Sequence, residues 1–204
     1  MDRRSFLLSS LATLGGCGGV WNLPSYDDLP PDKSGVVIAS VGGAWTGGPR
    51  YSVSFRPVAS PTTVGELIFR RSWFDLDPVD IQEDSAYGTV ATRRLAPGMY
   101  EIYGAMVFYG SGLGQLSYFD KRPFSFPFEI LPGKATYLGE FIARPIRGKD
   151  NALGLIFTVR DRRVRDLALL RKRGIEFPEN AVVSAVMNKN QSANSIFHRL
   201  DDTL

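Results

Sequence analysis

Leu95-Ala96-Pro97-Gly98-Met99-Tyr100-Glu101-Ile102-Tyr103-Gly104-Ala105-Met106-Val107-Phe108-Tyr109 is the stretch that decides the fold class. Pro97 followed by Gly98 is tight-turn chemistry. The proline ring pre-sets one backbone angle, and glycine admits a positive φ at the next place. The turn releases the chain into a run that is apolar on both faces, with Ile102, Met106 and Phe108 against Tyr103, Val107 and Tyr109. Such a run predicts a central strand covered on both sides.

A second turn repeats the chemistry downstream. Ile130-Leu131-Pro132-Gly133-Lys134 leads into Tyr137-Leu138-Gly139, so each turn feeds a strand whose tyrosine can close a core. Upstream of it, Phe124-Ser125-Phe126-Pro127-Phe128-Glu129-Ile130 alternates apolar and polar places with period two. Pro127 has no amide hydrogen for a ladder, which puts this strand at an edge or a bulge. Tyr51-Ser52-Val53-Ser54-Phe55 alternates in the same way. Further strands are expected at Val36–Val41, Glu66–Arg70, Tyr87–Arg94, Ala135–Ala143 and Leu153–Arg160, about eight in all. The expected fold is mainly β, an antiparallel β-sandwich of about eight strands with one C-terminal helix. Composition agrees, with 12% aromatic residues, 21 Gly and 13 Pro among 204 residues.

The pattern Leu95-x-Pro97-Gly98-x-Tyr100 resembles the hairpin entry of transthyretin-like and prealbumin-like sandwich domains, an architecture shared with Ig-like domains. Residues 35–160 are similar to small envelope-lipoprotein sandwich domains of no assigned activity. That resemblance implies a fold, and a fold does not imply a function.

The expected helix runs from Asp161 to Gly174. Asp161 suits the N-cap, Gly174 the stop, and Arg171, Lys172 and Arg173 complement the dipole in the last turn. Val164, Leu167, Ala168 and Arg171 share one face of it. Residues 161–187 are expected to pack on the sandwich, and residues 188–204 to form a loose polar tail with at most a brief turn at Ile196–Leu200.

The N-terminal residues carry the most specific motif. Arg3 and Arg4 precede an apolar stretch from Phe6 to Leu14, which is too short to span a bilayer. A cleaved signal peptide, residues 1–16, is the reading that fits. Leu14-Gly15-Gly16-Cys17 resembles the lipobox of bacterial lipoproteins, in which Cys17 would receive a diacylglycerol thioether after cleavage behind Gly16. Arg3-Arg4-Ser5-Phe6-Leu7 also resembles a twin-arginine export signal, with the general secretory route left open. Residues 17–34, with Pro24, Pro30 and Pro31, read as a lipidated tether. Gly18 after the acylated residue implies, by the lipoprotein sorting pattern, the periplasmic face of the outer membrane.

Residue counts bound the chemistry. One cysteine allows no internal disulfide, and one histidine, His198, disfavours a histidine-based triad or a multi-histidine zinc site. The formal charge of +3, with no sustained basic block, suggests no nucleic-acid partner. Asp75, Asp77 and Asp80 lie in a segment holding five carboxylates from Asp75 to Asp84, a calcium loop or a solvated connection. Gly110-Ser111-Gly112-Leu113-Gly114 is followed by another strand rather than a helix, so a hairpin fits better than a phosphate cradle. Glu129 and Glu140 fall on strands. The cationic helix suits a solvated face, anionic lipid or a partner, and Trp45 and Trp73 suit a core or a glycan groove. No cofactor is expected. The expected function is a non-catalytic, membrane-anchored envelope lipoprotein that binds or assembles with an envelope protein. The alternative is a periplasmic glycan- or peptide-binding module.

Overall fold

The computed structural model describes residues 23, 26–44, 49–70, 79–83, 85–111, 114–119, 123–147, 153–192 and 196–200. It is mainly β, with two sheets and few helices. Strands β1 (Gly35–Gly43), β4 (Ile81–Glu83), β5 (Ala86–Leu95), β9 (Ala135–Arg147), β10 (Leu153–Arg160), β11 (Val182–Ser184) and β12 (Phe197–Arg199) form the larger sheet. Its order is β12-β10-β9-β1-β5-β4, with β11 also on β9. Strands β2 (Arg50–Pro57), β3 (Gly65–Arg70), β6 (Gly98–Ser111), β7 (Gly114–Phe119) and β8 (Phe126–Ile130) form the smaller sheet. One core joins them: Val37, Ala39 and Val41 of the larger sheet pack in the same cluster as Tyr51, Val53 and Phe55 of the smaller.

The expected strands form, but the count and the all-antiparallel pairing are corrected. Twelve strands are present among the described residues. β1 pairs in parallel with β9, β11 with β9, and β12 with β10. Residues 197–199, expected in a loose tail, pair with β10 instead. Phe197 inserts its ring among Phe124, Phe141 and Phe157, with centroids 5.1, 5.5 and 5.8 Å away, so an apolar side chain inside a polar tail recruits that tail to the sheet. Two residues ahead of the expected domain boundary at residue 35 already pack with the sheets. Leu23 is buried against the core and its amide donates to the Val64 carbonyl at 3.2 Å, while Ser34 is buried under Arg94.

The β6 strand is central, flanked by β2 on one side and by β7 and β8 on the other. It is not covered on both faces. Tyr100, Ile102, Ala105 and Val107 are buried, whereas Met99 is 49% exposed and Tyr103, Met106 and Phe108 are only half-buried. A bulge explains why Ile102 and Ala105 share a face. Ser54 pairs with Gly104 and Phe55 with Ile102, so Tyr103 is the extra residue. Among the described residues β8 pairs only with β6, leaving Pro127 on an edge as its chemistry requires.

The larger sheet is the one covered twice. Helix α1 (Arg163–Lys172) lies on its outer face, where Leu170 packs with Ile38, Val90, Ala135 and Tyr137. Residues 161–187 pack on the sheets through Leu170 and Met187, as expected. Asp166 and Leu170 point inward, and Val164 is 83% exposed. Asp161 does support the helix start, accepting from the Arg163 amide at 3.0 Å, although Arg162 occupies the cap position itself. A single-turn helix α2 (Lys189–Ser192) precedes β12.

Candidate functional site

The most chemically loaded part of the described chain is the layer between α1 and the larger sheet. A bulge prepares it. Ile38 pairs with Tyr137 and Ser40 with Glu140, so β9 carries one extra residue there. Gly139, at φ +113°, takes a conformation that side-chain-bearing residues rarely adopt. The phase shift turns both Tyr137 and Glu140 toward the helix. α1 answers with adjacent residues of opposite charge, Arg165 and Asp166.

Asp166 is fully buried and satisfied from several directions. Its Oδ2 accepts from the Ser40 hydroxyl and the Tyr137 hydroxyl, each at 2.7 Å. Its Oδ1 accepts from Arg165 Nε at 2.9 Å and Nη2 at 2.7 Å. The same guanidinium reaches Glu140 at 2.7 Å and Glu83 at 3.1 Å. Tyr137 in turn accepts from the Arg162 amide at 3.1 Å, satisfying a helix-start donor. Burial first, and then the Asp166 carboxylate, push the Tyr137 phenol well above its ordinary value. Asp166 and Glu140 more than offset the desolvation of Arg165 and hold it firmly protonated. A tyrosine locked neutral and an arginine locked charged, with their partners filled, bind the helix to the sheet.

Asp80 is similarly occupied. Its Oδ2 accepts from the Thr89 hydroxyl at 2.7 Å, the Val90 amide at 2.9 Å and Arg173 at 3.1 Å. Those bonds tie the helix end to β5. Asp75 and Asp77, its proposed calcium partners, lie outside the described residues, as do Trp45 and Trp73. Among the described residues no group of three or more His, Cys, Asp or Glu side chains gathers as a metal site. Glu140 is buried in the Arg165 network, while Glu129 and His198 are exposed on β8 and β12. Ser111 pairs with Gly114, the hairpin expected at the glycine-rich stretch. Arg3, Arg4, Leu14, Gly15, Gly16 and Cys17 lie outside the described residues.

Two grooves that share Phe177 open beside α1 and beside the segment that follows it. One, of about 480 Å³, is lined by Arg163, Val164, Leu167, Ala168, Arg171, Phe177 and Val182. The side chains that the helical spacing groups on one face therefore do share a face, one that forms the wall of an open groove. The second, of about 350 Å³, is lined by Asp27, Arg93, Arg94, Glu176 and, again, Phe177. No apolar segment signalled the second groove in the sequence, because chain packing creates it from residues far apart in number. Among the described residues no helix is long and apolar enough to cross a membrane.

Comparison with known proteins adds little. No family model matches the chain, and no curated protein matches it. Among solved structures it is similar to a leucine-rich repeat protein from Bacteroides thetaiotaomicron VPI-5482, at 13% identity and a TM-score of 0.32, over 53% of this chain and 13% of that one. At that score the overlap assigns neither fold type nor function.

Proposed function

We propose that this chain is a lipid-anchored, non-catalytic lipoprotein of the bacterial envelope, acting as a binding or assembly module for another envelope component. The observation that carries the reading is the sequence Leu14-Gly15-Gly16-Cys17, with the sole cysteine placed behind a short apolar leader. Gly18 favours the periplasmic face of the outer membrane, and Arg3-Arg4 favours twin-arginine export. The position of Leu23 supports the same reading, since a residue buried in the core lies six places past Cys17. The engagement of Asp166, Glu140, Arg165 and Asp80 in layer-to-layer bonds supports a structural use of the buried charges. The domain itself we read as a transthyretin/prealbumin-like sandwich enlarged by a helical layer. The Tyr100 hydroxyl supports this by donating back to the Ala96 carbonyl at 3.0 Å, across the Pro97-Gly98 turn.

Labelling cells with radioactive palmitate tests the anchor. Label on the wild-type chain and none on Cys17→Ser is the expected result; equal label on both, or an intact mass with Met1 and a free thiol, removes it. Crosslinking in intact envelopes tests the assembly role, for which a reproducible protein adduct is expected.

A further inference from the structure

We infer that the outward face of α1, with the groove beside it, docks on an anionic bilayer surface and fixes how the domain sits on its membrane. The inference rests on the lipid-anchor reading of Cys17 and adds an orientation to it.

Chain length comes first. Cys17 precedes Leu23 by six residues, and a fully extended chain of that length reaches about 21 Å. Leu23 is seated in the core, so the surface around it must lie close to whatever membrane holds Cys17. That surface leads directly to α1. Arg93 Nη2 donates to the Leu23 carbonyl at 3.1 Å; Arg93 also lines the smaller groove, and Phe177 is common to both grooves.

Charge comes second. The acids of α1 are spent inward: Asp166, its only one, is fully buried. Arg165 and Arg173 are bound to Glu140, Asp166 and Asp80. What faces outward is Arg163, Arg171 and Lys172, none in an ion pair among the described residues, set around Val164 and Ala168. Of the nearby acids, Asp27 and Glu176 line the smaller groove beside Arg93 and Arg94, and Asp161 stands at the helix start beside Arg162, Arg163 and Arg165, where cations outnumber it. Cations around a small, exposed apolar centre match the headgroup region of an anionic leaflet, where each basic side chain strengthens binding about fivefold.

The processed, lipidated protein supplies the test, because acylation of Cys17 leaves an introduced cysteine as the only free thiol. Val164→Cys carries an environment-sensitive fluorophore; Ile146→Cys, 42% exposed at the opposite end of β9, is the control. Both proteins are placed in phosphatidylcholine vesicles, with or without phosphatidylglycerol, containing nitroxide-labelled lipid. Quenching at position 164 but not at 146, and only with the anionic lipid, is the expected result. Neutralising Arg163, Arg171 and Lys172 together to Gln should weaken docking on the order of a hundredfold. An acylated Cys17 with position 164 unquenched overturns the docking and leaves the anchor standing, as does shielding of position 164 only when envelope proteins are added. An unmodified Cys17 removes the anchor, and the docking with it.

Discussion

The outer faces of the two sheets carry similar residues and put them to different use. On the larger sheet, Arg165, Asp166 and Glu140 meet beneath α1, out of water. On the smaller, Arg56 meets Glu101 at 2.7 Å and lies 4.5 Å over the Tyr103 ring, at a place with no helix over it among the described residues. The difference is what stands outside. A helix that covers a sheet must bury the polar groups of both, so each must be matched or the layer does not close. An open face makes no such demand, because water serves any group left over. Ion pairs of the same geometry therefore specify the fold on one side and decorate it on the other.

The contrast can be broken most sharply at Asp166. Asp166→Ala leaves Arg165 short of a buried partner and deprives Ser40 and Tyr137 of their acceptor, with an expected loss of about 3–5 kcal/mol in urea unfolding. Next is Phe197→Ala. A loose tail would make it silent, but a ring seated against three others predicts a loss of about 3–4 kcal/mol by the same measurement.

Tyr100 and Tyr137 offer a subtler probe, since matching turns deliver them to opposite faces. Burial, with Tyr26 adding to it, pushes the Tyr100 phenol up to about 12. Its raised value contributes stability that is complete below about pH 10, the unfolded value, and is lost as pH rises toward the folded one. Tyr100→Phe should therefore cost about 1 kcal/mol at neutral pH and flatten the alkaline part of the stability profile, read by thermal melts across that range.

The smallest effect belongs to the open face. The Ser125 hydroxyl and, behind it, Arg56 hold the Glu101 carboxyl below its ordinary value against the opposing pull of burial. Stability from a lowered carboxyl is present above its unfolded value, about 4.3, and fades as pH falls through the folded one. Glu101→Gln should cost under about 1 kcal/mol at pH 7 and remove that acid sensitivity. A cost equal to that of Asp166→Ala would erase the distinction between the two faces.

Legibility in the sequence divides along physical lines. The longer strands, the two Pro-Gly turns, the Pro127 edge and the helix over residues 163–172 are written in nearest-neighbour chemistry and are readable, whereas the three-residue strands β4, β11 and β12 are not. Burial on both faces was assigned to β6 when it belongs to β1 and β9, because an apolar run does not reveal what covers it. The Arg165–Asp166–Tyr137–Glu140 cluster was invisible for a related reason. Glu140 could be placed on a strand, but strict alternation puts Tyr137 and Glu140 on opposite faces. The bulge at Gly139 reverses that, and nothing local announces a bulge except the glycine itself.

The amino-acid sequence by itself determined a mainly β chain, the turns that fold it and the residue on which its proposed anchor depends. Those follow from backbone angles and from the chemistry of single side chains, which act over a few residues. Only the tertiary structure decided which sheet is covered, which side of α1 points inward and that Phe197 returns to the core. These are choices among faces of equal local quality, settled when distant segments compete to exclude the same water.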